Sequence, residues 1–117
     1  MITIFDLDTK LQTDIELKNI VEVKFSTNKQ FVTVQTNEYD NYYYHGEFIS
    51  LQGDIDNFIG INDDGIQFYL NPLFIKYWEF IPETELVFVN YTSDNLLGVF
   101  SASPEILESL PKGLQIL

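Results

Sequence analysis

Val21, Val23 and Phe25 alternate with Glu22 and Lys24, and further along Val32 and Val34 alternate with Thr33 and Gln35. Apolar residues at every second position mark strands with one buried face. The run between them, Ser26-Thr27-Asn28-Lys29-Gln30, is turn chemistry, so the two strands are predicted to pair as a hairpin. Ile2 to Leu7 reads as an earlier strand and Asp14 to Leu17 as a short one. After a turn over Asn37 to Asn41, Tyr42 to Leu51 is a long aromatic strand in which Gly46 marks a bulge. Asn62-Asp63-Asp64-Gly65 is the clearest hairpin signal, because Asp-Gly accepts the positive φ of a tight hairpin turn. Ile66 to Leu70 returns from it, and Asn71-Pro72 ends the return.

Two segments fit more than one element. Ile55 to Ile61 reads as an extended loop or a short strand, and Leu73 to Ile81, between two prolines, as a strand or two helical turns. Leu86 to Tyr91 is nearly all apolar, which predicts a central strand buried on both faces. Thr92 to Asn95 turns and Leu96 to Ala102 returns. Ser103-Pro104-Glu105 opens a short helix, with Ser as N-cap, Pro in the first turn and Glu at the positive dipole end. The sum is a single, mainly β domain over residues 1–117, or a β-rich α+β one. The expected architecture is an antiparallel sandwich or partly open barrel of about seven to nine strands with a short C-terminal helix.

Charge changes this picture from a fold to a statement about partners. The formal net charge is -12, and it is unevenly placed. Asp6, Asp8, Asp14, Glu16 and Glu22 nearly balance Lys10, Lys18, Lys24 and Lys29 in the first 29 residues, whereas Lys76 is the one cation between Gln30 and Pro111. A field of one sign attracts partners of the other and repels nucleic-acid phosphates. The chain has no arginine, the residue that reads phosphate and guanine in a bidentate way. No direct binding of DNA or RNA is therefore expected. Use of Lys and Asn without Arg also suggests an AT-rich coding sequence, bacterial or phage. Ten Phe, seven Tyr and one Trp separate the chain from disordered acidic segments.

There is no cysteine, so no disulfide, thiolate nucleophile or Cys-ligated zinc. Met1 to Lys10 carry no basic region followed by an apolar run, and no apolar stretch reaches membrane-span length, so a cytoplasmic protein without a membrane role is expected. The single histidine, His45, shares a strand face with Glu47, but no Gly-x-Ser-x-Gly elbow supplies a nucleophile. Phosphate-binding glycine loops are missing. Asp54-x-Asp56 and Asp63-Asp64-Gly65 invite comparison with a calcium loop, yet a loop begun at Asp54 has Phe58, Ile59 and Gly65 at its fifth, sixth and twelfth positions, and the match fails. Turn formation explains these aspartates better. No enzyme, cofactor or metal site is expected.

What remains is a binding surface. Glu38, Asp40, Glu47, Asp54, Asp56, Asp63 and Asp64 fall in a stretch without any cation, and Tyr42, Tyr43 and Tyr44 fall among them. Tyrosine is a preferred interface residue, and along a strand Tyr43 points opposite to its two neighbours. These ten residues are the expected partner-binding set. The function expected is that of a non-enzymatic acidic inhibitor of a basic protein, such as an immunity protein that blocks a nuclease-type bacterial toxin. Nucleases carry basic grooves, and opposite charge speeds encounter. The alternatives are a phage-encoded DNA mimic directed at a restriction or CRISPR effector, and a phage structural or carbohydrate-binding module.

Overall fold

A computed structural model describes residues 1–37, 43–92 and 96–116. Its strands are β1 (Ile2–Asp6), β2 (Gln12–Ile15), β3 (Ile20–Phe25), β4 (Phe31–Thr36), β5 (Tyr43–Leu51), β6 (Ile59–Asp63), β7 (Ile66–Leu70), β8 (Ile75–Ile81), β9 (Leu86–Tyr91) and β10 (Leu97–Ser101), followed by helix α1 (Pro104–Ser109). They form an antiparallel seven-stranded sheet in the order β2-β1-β5-β4-β3-β7-β6 and an antiparallel three-stranded sheet in the order β10-β9-β8. The domain is mainly β, a partly open sandwich without a closed barrel. Ten strands exceed the expected seven to nine because both ambiguous segments contribute one.

The local signals act as expected. Val23 pairs with Val34 across the β3–β4 hairpin, whose turn is closed by the Ser26 amide on the Phe31 carbonyl at 2.9 Å. At the β6–β7 turn Asp64 and Gly65 both take positive φ, 54° and 86°, and the Gly65 amide donates to Asn62 Oδ1 at 3.1 Å. The Ser103 hydroxyl accepts from the Ile106 amide at 3.2 Å and starts α1. Asn71 ends β7 and caps a single 3-10 turn, Pro72–Phe74, by accepting from the Leu73 amide. Beyond that turn Ile75 to Ile81 is a strand because β9 lies in register beside it, from Ile75 opposite Tyr91 to Ile81 opposite Leu86.

Two local expectations change. Gly46 is no bulge: it stands in regular register opposite Asp6 and Val32. A Cβ there would lie 2.1 Å from the Phe5 carbonyl oxygen, so glycine is what lets β1 approach. The irregularity falls at Ile49, since Thr3 pairs with Ser50 while Ile4 pairs with Phe48. Leu86 to Tyr91 is central in its sheet, but Val87, Val89 and Tyr91 alone are buried, and the alternate residues are only half-covered.

Two cores share strand β3. Ile20 pairs with Thr36 and Glu22 with Gln35, which leaves Val21 as an extra residue. Such a bulge turns consecutive side chains toward one side. Ile20, Val23 and Phe25 thus face a first core with Ile2, Ile4, Val32 and Val34. Val21 instead enters a second core with Trp78, Val87, Val89, Phe100 and Leu110, between the two sheets and α1. There Phe68 and Phe100 meet edge to face at 5.0 Å, and Trp78 Nε1 donates to the Pro111 carbonyl at 2.7 Å. The connection from β5 to β6 must pass from the middle of the large sheet to its edge; Phe58 of that connection, and Leu17, pack against the first core. Among the described residues no helix is long and apolar enough to cross a membrane.

Candidate protein-binding surfaces

The expected binding residues are distributed over both ends of the large sheet. Glu38, Asp40 and Tyr42 lie outside the described residues. Tyr43 begins β5 opposite Gln35, at the far end of β4 from the β3–β4 turn, and is 61% exposed. Tyr44 points the other way and packs against the first core, as strand alternation requires. Glu47 is exposed near the opposite end of β4, where its carboxylate accepts from Gln30 Nε2 at 3.3 Å. His45 shares the Glu47 face, with its ring stacked on Phe31 and Nδ1 2.9 Å from Thr33 Oγ1.

The other four carboxylates gather at the β3–β4 turn end. The β6–β7 turn with Asp63 and Asp64 abuts that hairpin, since a Cβ on Gly65 would sit 3.9 Å from Thr27 Cγ2. Asp64 is exposed, whereas Asp63 is half-buried and accepts from the Ser101 amide at 3.0 Å, tying the large sheet to β10. Asp54 and Asp56 are exposed in the β5–β6 connection, where Asp54 Oδ1 accepts from the Asp56 amide at 2.8 Å. Between these loops opens a cleft of about 230 Å³ walled by Phe25, Phe48, Leu51, Ile55 and Tyr69, with Lys29 and Gln67 its polar members. Phe25 holds Phe48 and Tyr69 edge to face at 5.2 and 6.0 Å. Apolar cavities of about 150 Å³ already admit a benzene ring. The cleft therefore has room for one aromatic or large aliphatic side chain. It was not legible in sequence, because its walls come from β3, β5, β7 and a connection.

Among the described residues, the carboxylate with a clear shift lies outside the expected set. Glu22 follows the β3 bulge and faces the second core, where its Oε2 accepts from the Tyr91 hydroxyl at 2.6 Å. Burial pushes its pKa above the ordinary carboxylate range, against the opposing effects of the Tyr91 hydrogen bond and the Lys24 charge. Tyr91 is pushed up as well, by its own burial and then by the Glu22 charge. Gly98 leaves room for this pair: a Cβ there would stand 3.2 Å from the Tyr91 hydroxyl and 2.9 Å from the Phe100 ring. In sequence Glu22 looks like the solvated half of an alternating strand, and nothing local announces the second core that covers this side of β3.

Among the described residues no group of three or more His, Asp or Glu is arranged to hold a metal ion, and no buried side-chain polar atom lacks a hydrogen-bond partner. Six described carboxylates accept from backbone amides, a glutamine amide or hydroxyls, among them Asp6 from the Asp8 amide at 2.8 Å and Asp14 from Thr3 Oγ1 at 2.8 Å. Asp64, Asp56, Asp54 and Glu47 thus keep most of their charge toward solvent. No family model, curated protein or solved structure matches the chain.

Proposed function

We propose that this chain is a non-enzymatic acidic inhibitor that binds a basic protein, an immunity-type antidote to a nuclease toxin. The observation that supports it most is the β3–β4 turn end. Exposed Asp54 and Asp56 flank Ile55 in the wall of an apolar cleft sized for one side chain, and exposed Asp64 stands at the neighbouring β6–β7 turn. Tight interfaces have this anatomy, with a desolvated anchor at the centre and charges around it. A partner rich in Lys or Arg gains steering from the field and a socket for one apolar residue. Lys29 at the cleft sets the orientation of that partner, since its basic residues must fall on the Asp54–Asp56 and Asp64 sides.

The test is co-expression with the protein encoded by the adjacent gene, followed by a nuclease assay on the purified mixture. Inhibition at equal molar amounts supports the proposal. Asn at Asp54 and Asp56 together, or at Asp64, should then weaken the complex while leaving the melting temperature in place. Truncating a central carboxylate should cost roughly 2–5 kcal/mol of binding, while losing a rim one should mainly slow association and reduce its salt dependence. Inhibition of a restriction or CRISPR effector instead would favour the DNA-mimic reading. Tight gel-shift binding to nucleic acid at physiological salt would overturn both.

A further inference from the structure

The side of the three-stranded sheet turned away from the second core is apolar too. Trp78, Val89 and Gly98 stand in register, as do Phe80, Val87 and Phe100, and these point inward. The alternate rows are Tyr77–Asn90–Leu97, Glu79–Phe88–Val99 and Ile81–Leu86–Ser101. Tyr77, Ile81, Leu86, Phe88, Leu97 and Val99 belong to neither core, and Leu97 and Val99 are 48% and 47% exposed. An antiparallel sheet with one solvated side normally carries polar residues there. The near-continuous apolar run of β9 is the pattern of a strand covered on both sides, and the described residues form a core against one.

The charges on this side say what covers it. Ile75 pairs with Tyr91 and Tyr77 with Asn90, so Lys76 is the extra residue of a bulge and, being exposed, lies on the outer side with Tyr77. Lys76 is the one cation between Gln30 and Pro111, and it stands three residues from Glu79. Glu79 stands on the same side, so the face carries both signs. A second copy matches such a face: a two-fold interface sets the same patch against itself, so residue i meets j while j meets i. We propose that the outer face of the three-stranded sheet is a two-fold dimer interface, with Phe88, Leu97 and Val99 packed across it and Lys76 of each copy facing Glu79 of the other. The proposal does not depend on the inhibitor reading, which uses the cleft on the large sheet.

The experiment is sedimentation velocity on the full chain at about 0.15 M salt, near physiological ionic strength, over a range of loading concentrations. The expected species has twice the monomer mass of 13.6 kDa. Val99→Glu should shift it to monomer with unchanged far-UV circular dichroism. Lys76→Glu and Glu79→Lys should each weaken association on the order of a hundredfold, since like charges then face one another. The double exchange should restore it, which a merely sticky apolar patch would not do. A wild-type monomer at the highest loading overturns the proposal. So does a dimer that survives both Val99→Glu and the single charge reversals.

Discussion

The two sheets differ in how their outward positions are filled. On the large sheet Tyr43, His45 and Glu47 of β5 alternate with core-facing Tyr44, Gly46 and Phe48, and Thr33 and Gln35 of β4 with Val32 and Val34. That is the ordinary polar-out, apolar-in pattern. On the small sheet the inner positions are apolar and the outer ones mostly so, although the described residues form a core against the inner side alone. The contrast teaches that alternation reports how many sides of a strand are covered in the working assembly, including sides covered by something outside the chain.

The largest effect should come from the residue that joins the sheets. Trp78→Ala removes a fully buried ring and its hydrogen bond to Pro111, at a cost of about 3–5 kcal/mol. Urea unfolding measures it, and amide exchange should show β8 to β10 losing protection before β4 and β5. A loss under about 1 kcal/mol would mean the sheets are held together elsewhere.

A smaller effect sharpens the same boundary through Glu22 and Tyr91. Tyr91→Phe leaves the Glu22 carboxylate buried without its hydroxyl donor and should cost about 1–3 kcal/mol near neutral pH. The pH dependence has a definite sign. The folded state holds the Glu22 proton more tightly than the unfolded chain does, because burial raises its pKa. Between the unfolded and folded pKa values the native state therefore binds more protons, and stability falls as pH rises through that window. Glu22→Gln keeps an acceptor for Tyr91 without the charge. It should flatten this part of the profile above the ordinary glutamate value of 4.5 and raise neutral-pH stability on the order of 1 kcal/mol. Melting curves from pH 4 to 8 check it, and an unchanged slope would place Glu22 in contact with water.

The smallest effect separates inner from outer positions of one sheet. Val99→Thr, on the open side, should change the stability of dilute protein by no more than about 0.5 kcal/mol. Val89→Thr, on the closed side, buries a hydroxyl without a designed partner and should cost about 1–3 kcal/mol. Equal costs would mean both sides are covered within the monomer, and the dimer interface would lose its basis.

Much of the local structure was legible before any coordinates. The Asp64-Gly65 turn, the Val23–Val34 hairpin and the Ser103 cap depend on residues close in sequence, whose φ preferences and hydrogen bonds act without help from the rest of the chain. Strand from Ile75 to Ile81 was not legible, since an apolar run between two prolines is satisfied by helix or strand until β9 offers its edge. Of the candidate site, the opposite facing of Tyr43 and Tyr44 followed from the period of two, whereas which of them meets the core did not. The gathering of Glu47, Asp54, Asp56, Asp63 and Asp64 toward one end of the large sheet did not, because the strand order that brings them together is set by contacts distant in sequence.

By itself, then, the sequence determined an antiparallel, mainly β domain, its hairpins, its helix start and an acidic surface poor in cations. Tertiary structure alone decided that β3 carries a bulge and serves two cores, that Glu22 turns inward to Tyr91, that Lys29 sits beside a cleft bordered by aspartates, and that β9 has one side open. The reason is physical. Alternation and turn chemistry state which side chains avoid water, whereas which surface covers them depends on strand order and on a single extra residue that reverses a strand's facing.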